Sequence, residues 1–433
     1  MKPRTGSNSR LIAARVLDAV LHHGRSLKTE LAAALPQLPD ARDRALVEAI
    51  VMAALRQRSR YADALANWME KPPGRRDGIA RALLYVGLAQ LDALQLPAHA
   101  AVDATVQAAR AAGRTRQAGL INAVLRRATR EPLPPGLPGH GWPKWLLAKL
   151  HADWPDQMQA ILAASGEPPP LWLRVRGDRD AYRQRLRDAG IDSDAPAALP
   201  NALRLHASLP VAQLPGFAQG EVSVQDGSAQ WVAAALAPTA GARVLDACAA
   251  PGGKAAHLLE RDASLRLVAL DIDPARMRRM REGFERVGVT AQTIAGDAAD
   301  PAAWWDGVPF DAIVLDAPCS ATGIVRRQPD VLLHRREADI AALTALQARM
   351  LDALWPLLAP GGALVYATCS ILPDENARQV DAFLRRTPDA ISEALDERFG
   401  RVSGPGRQRL PGEDGMDGFF YARVRKVHTD ATA

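Results

Sequence analysis

From Ala242 onward the chain alternates short apolar runs with helical stretches, and that alternation restricts the possible folds more than any other feature. Candidate strands are 242–246, 265–271, 291–295, 311–316 and 362–367, with helical stretches between them near 253–262, 274–287, 338–358 and 374–386. Strand, crossover helix, strand is the pattern of a parallel sheet with helices on its faces. Gly418-Phe-Phe-Tyr-Ala-Arg-Val-Arg reads as a final strand. The Gly- and Arg-rich segment 400–417 carries no clear element, and the residues from about His428 read as a frayed end.

The chain has only three cysteines, Cys248, Cys319 and Cys369, and each follows one of these candidate strands. Their contexts are Val-Leu-Asp-Ala-Cys-Ala-Ala-Pro-Gly-Gly-Lys (244–254), Leu-Asp-Ala-Pro-Cys-Ser (315–320) and Val-Tyr-Ala-Thr-Cys-Ser (365–370). A cysteine can be simply a small buried hydrophobe. In open α/β sheets, however, ligands bind outside the carboxyl ends of the strands, so the three cysteines point to one cleft. Their number and spacing give neither a disulfide framework nor a metal site, and a reducing cytoplasm is the simplest compartment.

At 433 residues the chain is too long for one ordinary core. Residues 9–130 read as helices throughout. Val47, Ile50, Val51 and Ala54 repeat at helical spacing, as do Ile79, Ala82, Leu83 and Val86. Asp40 can cap a helix starting near Ala41, and Lys71-Pro-Pro-Gly breaks the chain before the next one. Glu131-Pro-Leu-Pro-Pro-Gly-Leu-Pro-Gly is a linker. After it come a helical stretch to about Ala164 and a strand-like alternation from Pro168. The expected division is 1–135, an all-α domain; 140–235, a small α+β linker domain; and 236–428, an α/β domain. No apolar run reaches the roughly 20 residues of a membrane span. Arg15 and Asp18 interrupt the apolar stretch near the N-terminus, so no signal peptide is expected.

Charge is unevenly distributed. Residues 1–130 carry 21 Lys+Arg against 10 Asp+Glu, a balance of +11 in a chain whose total is +6, so the rest sums to −5. A localised basic excess is the usual footprint of a nucleic-acid binder. The competing explanation is a general preference for arginine, but that preference runs along the whole chain and only this third is strongly basic. A structural or dimerisation module is the alternative for the bundle.

Pro251-Gly252-Gly253-Lys254 lies between a strand and a helix, where glycines allow a tight turn and close backbone approach to a ligand. It is neither a dinucleotide fingerprint nor a phosphate loop. Asp271 ends the second strand, where a carboxylate can accept both ribose hydroxyls. Asp297, after Gly296, follows the third, where an adenine edge would be read. Such a set suits an adenosine ligand without phosphates, and S-adenosylmethionine fits. The lesser reading is a turn that merely packs helix on strand.

Asp316-Ala-Pro-Cys-Ser and Thr368-Cys-Ser follow the fourth and fifth strands. Carbon 5 of a pyrimidine is a poor nucleophile; a thiolate adding to carbon 6 makes an enamine whose carbon 5 can attack a methyl group. A free thiol is only a few per cent ionised at neutral pH, and Lys254, a sulfonium or a helix N-terminus can raise that fraction. Asp316 is the candidate acid for the ring's N3 and N4 edge, a role that needs it to hold or share a proton. Buried spacer cysteines and a helix-capping Asp316 are the structural alternative. Both Cys319 and Cys369 sit on suitable strand ends, so spacing alone leaves open which attacks.

These motifs resemble the signatures of the RNA cytosine-C5 methyltransferases, the Nol1/Nop2/Sun group, and within it the bacterial RsmB type (Sun or Fmu). That type carries a NusB-like RNA-binding domain ahead of a Rossmann-like methyltransferase domain. Val224-Gln-Asp, Arg326-Arg-Gln-Pro-Asp and Pro373-Asp-Glu-Asn match as well, so the resemblance covers nearly the whole chain. It implies that Cys248, Ala249, Ala250, Pro251, Gly252, Gly253 and Lys254 line the methionine side of S-adenosylmethionine, that Asp271 takes the ribose and that Asp297 takes the adenine side. It further implies that Asp316 contacts both cofactor and base, that Cys369 is the nucleophile and that Cys319 resolves the adduct. The implied substrate is 16S rRNA at cytosine 967, with no metal and no membrane partner, and a monomer is expected. The other readings are a non-catalytic RNA-binding or transcription factor, for which intact cysteines and glycines would be needless, and a DNA cytosine methyltransferase. Against the latter, Pro-Cys here runs on into Ser-Ala-Thr-Gly, and a second Thr-Cys-Ser follows.

Overall fold

The computed structural model describes residues 5–427, so the end expected to fray from His428 lies outside the described residues. The chain divides into two compact units: one runs to Pro168 and includes Val325–Arg335, and the other holds the remainder. Among the described residues, no helix is long and apolar enough to cross a membrane.

The first unit is helical: α1 (Thr5–His23), α2 (Leu27–Ala34), α3 (Ala41–Arg56), α4 (Arg58–Trp68), α5 (Gly78–Leu91), α6 (Ala98–Ala111), α7 (Thr115–Ala128), α8 (Lys144–Asp153) and α9 (Met158–Gly166). Asp40 caps α3, its side chain accepting from the Arg42 N–H at 2.8 Å. The stripe Val47, Ile50, Val51 and Ala54 is fully buried. Helix α5 is buried from Ala82 to Gln90 and forms the centre of the bundle. Its Gln90 donates to the Thr105 hydroxyl at 3.1 Å and accepts from Arg10 at 2.8 Å, so this polar group in the core is satisfied by α1 and α6. The Arg326-Arg-Gln-Pro-Asp motif belongs to this unit, where Asp330 accepts from the Leu27 N–H at 3.0 Å at the start of α2. Arg56 donates to the Arg326 carbonyl at 2.7 Å.

The second unit opens with a four-stranded antiparallel sheet, β1 (Trp172–Val175), α10 (Arg179–Asp188), β2 (Ser193–Asp194), β3 (Ala202–Leu205) and β4 (Val222–Val224), in the order β2-β3-β1-β4. Leu173, Val175, Leu203 and Leu205 on the sheet close over Tyr182 and Leu186 of α10. Then follow α11 (Gly227–Leu236), β5 (Arg243–Asp246), α12 (Gly253–Arg261), β6 (Arg266–Asp271), α13 (Pro274–Val287), β7 (Gln292–Ala295) and β8 (Phe310–Asp316). Past α14 (Val331–His334), which belongs to the first unit, come α15 (Glu337–Leu354), β9 (Leu358–Thr368), α16 (Ala377–Arg386), β10 (Ala390–Glu393), β11 (Arg401–Ser403), β12 (Gly406–Arg409) and β13 (Phe419–Lys426).

The large sheet runs β11-β12-β13-β9-β8-β5-β6-β7, with β10 pairing β13. Strands β7, β6, β5, β8 and β9 are parallel, and β13 returns antiparallel to β9. From β5 the chain moves outward through β6 and β7, then crosses back to β8 on the other side. The switch point therefore lies between β5 and β8, where a crevice opens at the carboxyl ends. Separate apolar clusters cover the two faces.

Two details differ from expectation. β9 starts at Leu358, four residues early, because Leu358 pairs with Phe310 ahead of a bulge. The segment 400–417 holds the hairpin β11–β12, which adds to β13. Gly406 makes this possible: a Cβ there would lie 2.4 Å from both the Phe420 ring and the Tyr421 carbonyl.

Candidate active site

The turn after β5 is built by backbone bonds to both neighbouring strands. Ala247 N–H donates to the Val314 carbonyl at 2.9 Å on the β8 side, and Ala249 N–H to the Leu270 carbonyl at 2.8 Å on the β6 side. The Ala250–Pro251 peptide is cis and Gly252 has φ +95°. A side chain on Gly252 would meet Met280 at 2.7 Å and Phe284 at 2.8 Å, so both its conformation and its surroundings require glycine. Helix α12 then starts at Gly253, with its free N–H groups at the mouth of the crevice.

Asp271, 3% exposed, braces this turn: one carboxylate oxygen accepts from Ala250 N–H and the other from Asp273 N–H, both at 3.0 Å. Its neighbour Ile272 is 67% exposed, an apolar side chain held out beside the crevice. Asp297 follows β7; its carboxylate accepts from Ala299 N–H at 2.9 Å and its carbonyl from Trp304 Nε1 at 2.8 Å.

Lys254 reaches from the first turn of α12 to the end of β8, where its Nζ donates to Asp316 Oδ2 at 2.5 Å. Burial alone would lower the lysine pKa, but Asp316, then Asp246 and Cys369, outweigh it and leave the ammonium more tightly protonated. Phe419 of β13 lies under the same ammonium, 5.7 Å from ring centroid to Nζ.

Cys319 Sγ and Cys369 Sγ are 3.4 Å apart, brought together by the adjacent strands β8 and β9. The contact with Cys369, then burial, pushes the Cys319 thiol well up, so this sulfur holds its proton. Burial also pushes up Cys248, which sits at the glycine turn. The cysteine loops are stitched to the last strand: Gly323 N–H donates to the Cys369 carbonyl and Gly418 N–H to the Gly323 carbonyl, each at 2.9 Å.

The structure thus gathers the turn 248–254, Asp271, Asp316, Cys319 and Cys369 at the carboxyl ends of β5, β6, β8 and β9, with Asp297 beyond them at β7. Sequence reasoning passed over Asp246. It is 1% exposed at the end of β5, with the Cys248 backbone and Lys254 nearby. Burial pushes its pKa up to about 7 against the pull of Lys254. It also passed over Ile272, and Glu375, whose buried carboxylate joins the two cysteine loops. An acidic residue at a strand end was already the signal for Asp271 and applies equally to Asp246. A cavity of about 650 Å³ elsewhere in this unit is lined by Trp172, Arg204, Trp231 and Arg409 and includes none of these strand-end residues.

Residues 233–425 match the family 16S rRNA methyltransferase RsmB/F, residues 7–130 the NusB family, and residues 142–212 the ferredoxin-like domain of RsmF/B-like methyltransferases. The ribosomal RNA small subunit methyltransferase B of Xanthomonas campestris is 59% identical over 98% of this chain and 98% of its own length. That of Vibrio cholerae is 47% identical over 97% and 98%. The crystal structure of PH0851 is similar in fold over 96% of this chain and 99% of its own, with TM-score 0.78 at 21% identity. NSun6 from Pyrococcus horikoshii with SFG has TM-score 0.61 at 21% identity, over 67% of this chain and all of its own. The expected fold class holds: a NusB-like helical domain, a small ferredoxin-like domain and a methyltransferase domain on a mixed sheet.

Proposed function

The chain belongs to the ribosomal RNA small subunit methyltransferase B family, and we propose that it forms 5-methylcytosine in 16S rRNA, at cytosine 967, through a covalent cysteine adduct. The carrying observation is the pair of sulfurs 3.4 Å apart beside the Lys254–Asp316 ion pair. One thiol suffices for attack; a second in contact with it suits a reaction that must also let go.

The crevice residues suit S-adenosylmethionine. Asp271 would hold the ribose, Ile272 and Asp297 the adenine, and the turn 248–254 with the Asp246 carboxylate the cationic methionine end. When bound, that cofactor supplies an electrophilic methyl group and a positive sulfonium.

Cys369 adds as thiolate to carbon 6, and the ring's N3 takes a hydrogen bond or proton from the Lys254–Asp316 pair. Lys254 carries the proton, and the pair supplies it as a unit. Carbon 5, now nucleophilic, takes the methyl group. Once Cys319 has given its own proton to solvent, its thiolate is placed to take the carbon 5 proton; the Cys369–carbon 6 bond then breaks, the proton on N3 returns to the Lys254–Asp316 pair, and the methylated base leaves. Enzymes acting on a base must take it out of the stack; the helical unit and the small sheet are assigned the grip on the surrounding RNA.

A trapping assay tests this. Cys319→Ala should accumulate an RNA adduct that survives denaturing gels, and Cys369→Ala should give neither adduct nor methyl transfer. An adduct formed by Cys369→Ala would reverse the two roles. Tritiated methyl transfer to RNA and not to DNA separates this reading from a DNA methyltransferase.

A further inference from the structure

Glu375 lies in the Pro373-Asp-Glu-Asn stretch after β9 and is completely buried, and among the described residues no Lys, Arg or His forms an ion pair with it. Its carboxylate is instead held by donors from three chain segments. One oxygen accepts from the Ser320 N–H at 2.7 Å and from Gln347 Nε2 of α15 at 3.2 Å. The other accepts from the hydroxyls of Ser320 and Ser370, each at 2.5 Å.

These two serines directly follow the two sulfur-bearing residues, Cys319 and Cys369. Their hydroxyls lie 3.2 Å from each other, and Thr322 bridges both at 3.1 Å. The same Thr322 oxygen accepts from Ile371 N–H at 3.1 Å, and Gln347 donates to the Pro318 carbonyl at 2.9 Å. The Tyr366 hydroxyl, donating to the Glu375 carbonyl at 2.6 Å, fixes the glutamate to β9. Ser320, Thr322, Gln347 and Ser370 are all fully buried. Only Gln347 Oε1 in this network is left without a partner; the remaining bonds make it rigid, because displacing any of them strands a further polar group away from water.

We infer that Glu375 is a positioning residue which clamps the Cys319 and Cys369 loops to one another and so sets the contact between the two sulfurs. The inference rests on the two-thiol reading of the reaction. Attack on carbon 6 needs one sulfur near the base; release needs the second sulfur at a defined distance from the first. Loosening the clamp therefore slows release more than attack. A residue needed only for folding would slow both alike.

The test uses the full chain with an rRNA fragment containing the target cytosine, and compares Glu375→Gln, Ser370→Ala and Cys319→Ala. Glu375→Gln keeps the shape but loses the charge that collects these donors. It should hold at least fivefold more RNA in covalent adduct at steady state than the unmodified protein. Its single-turnover methyl transfer should stay within about threefold, and its cofactor affinity within about twofold. Ser370→Ala leaves the glutamate in place, removes one of its ties and should shift the partition in the same direction by less. It carries the test if Glu375→Gln shows no cooperative melting. An adduct fraction equal to that of the unmodified protein in both variants, with transfer and release falling together, overturns the clamp while Cys319→Ala still traps. If Cys319→Ala traps nothing, the two-thiol reading falls and takes the clamp with it.

Discussion

At the end of β5, Asp246 is faced by Lys254 from α12, Asp316 from β8 and Asp271 from β6, with the Cys248 thiol beside it. Burial raises its folded pKa to about 7, above the roughly 3.9 of an unfolded aspartate. Between those values the folded protein holds a proton that the unfolded chain has lost, so stability falls as pH rises from about 4 to 7. Above 7 both states are ionised and the loss is complete; below 4 there is none. The slope from this one group is at most about 1.4 kcal/mol per pH unit. Asp246→Asn should therefore gain stability relative to the unmodified protein across that window, read by denaturant melts at pH 4.5 and 7.5. Its affinity for S-adenosylmethionine should fall, and should lose the rise that the unmodified protein shows as pH passes through 7. Equal pH slopes for the two proteins would mean that Asp246 titrates normally.

Among the elements, β1 and α12 are tied by one residue. Arg174, 1% exposed, makes a two-pronged ion pair with Glu260 at 2.7 and 2.9 Å and donates to the Gly253 carbonyl at 2.9 Å. The antiparallel sheet thereby supports the glycine turn from below. Arg174→Leu strands the Glu260 carboxylate and should cost about 3–5 kcal/mol in urea unfolding; Arg174→Leu with Glu260→Leu should cost markedly less. An equal loss in both proteins would argue against a buried, coupled pair. Arg174 also shows why legibility differs along the chain. Strands β5, β6, β8 and β9 could be read because parallel strands covered on both faces are nearly continuous apolar runs. The hairpin β11–β12 could not, because its inward residues include Gln408 and Arg409. Both are buried by being hydrogen-bonded, to the Phe419 and Arg398 carbonyls among others. The residues of the glycine turn and the two cysteine loops announced themselves by type and spacing. Asp246, a strand-end acid like Asp271, carried the same signal; Glu375 did not stand out, since what sets it apart is a buried carboxylate collecting donors from separate segments, which exists only in three dimensions.

For the whole molecule, the sign and place of the charge predict how RNA is held. The first 130 residues carry +11 and the remainder of the chain −5, so a grip dominated by phosphate contacts falls to the helical unit. On α7 and just past it, Arg116, Arg126 and Arg130 are exposed, with Leu120, 42% exposed, on the same helix. Each arginine that neutralises a phosphate releases a counterion, and the logarithm of affinity then falls with the logarithm of salt by about 0.7 per contact for single-stranded nucleic acid. Charge reversal of all three, Arg116→Glu with Arg126→Glu and Arg130→Glu, should flatten the salt dependence of RNA binding by about 2 in slope. S-adenosylmethionine affinity should not change, because the adenosyl and methionine contacts are assigned to β5, β6 and β7. Filter binding of an rRNA fragment from 50 to 200 mM salt, alongside cofactor titration, reads both. An unchanged salt slope would move the RNA grip off α7, and a parallel loss of cofactor binding would show that the reversal had unfolded more than a surface.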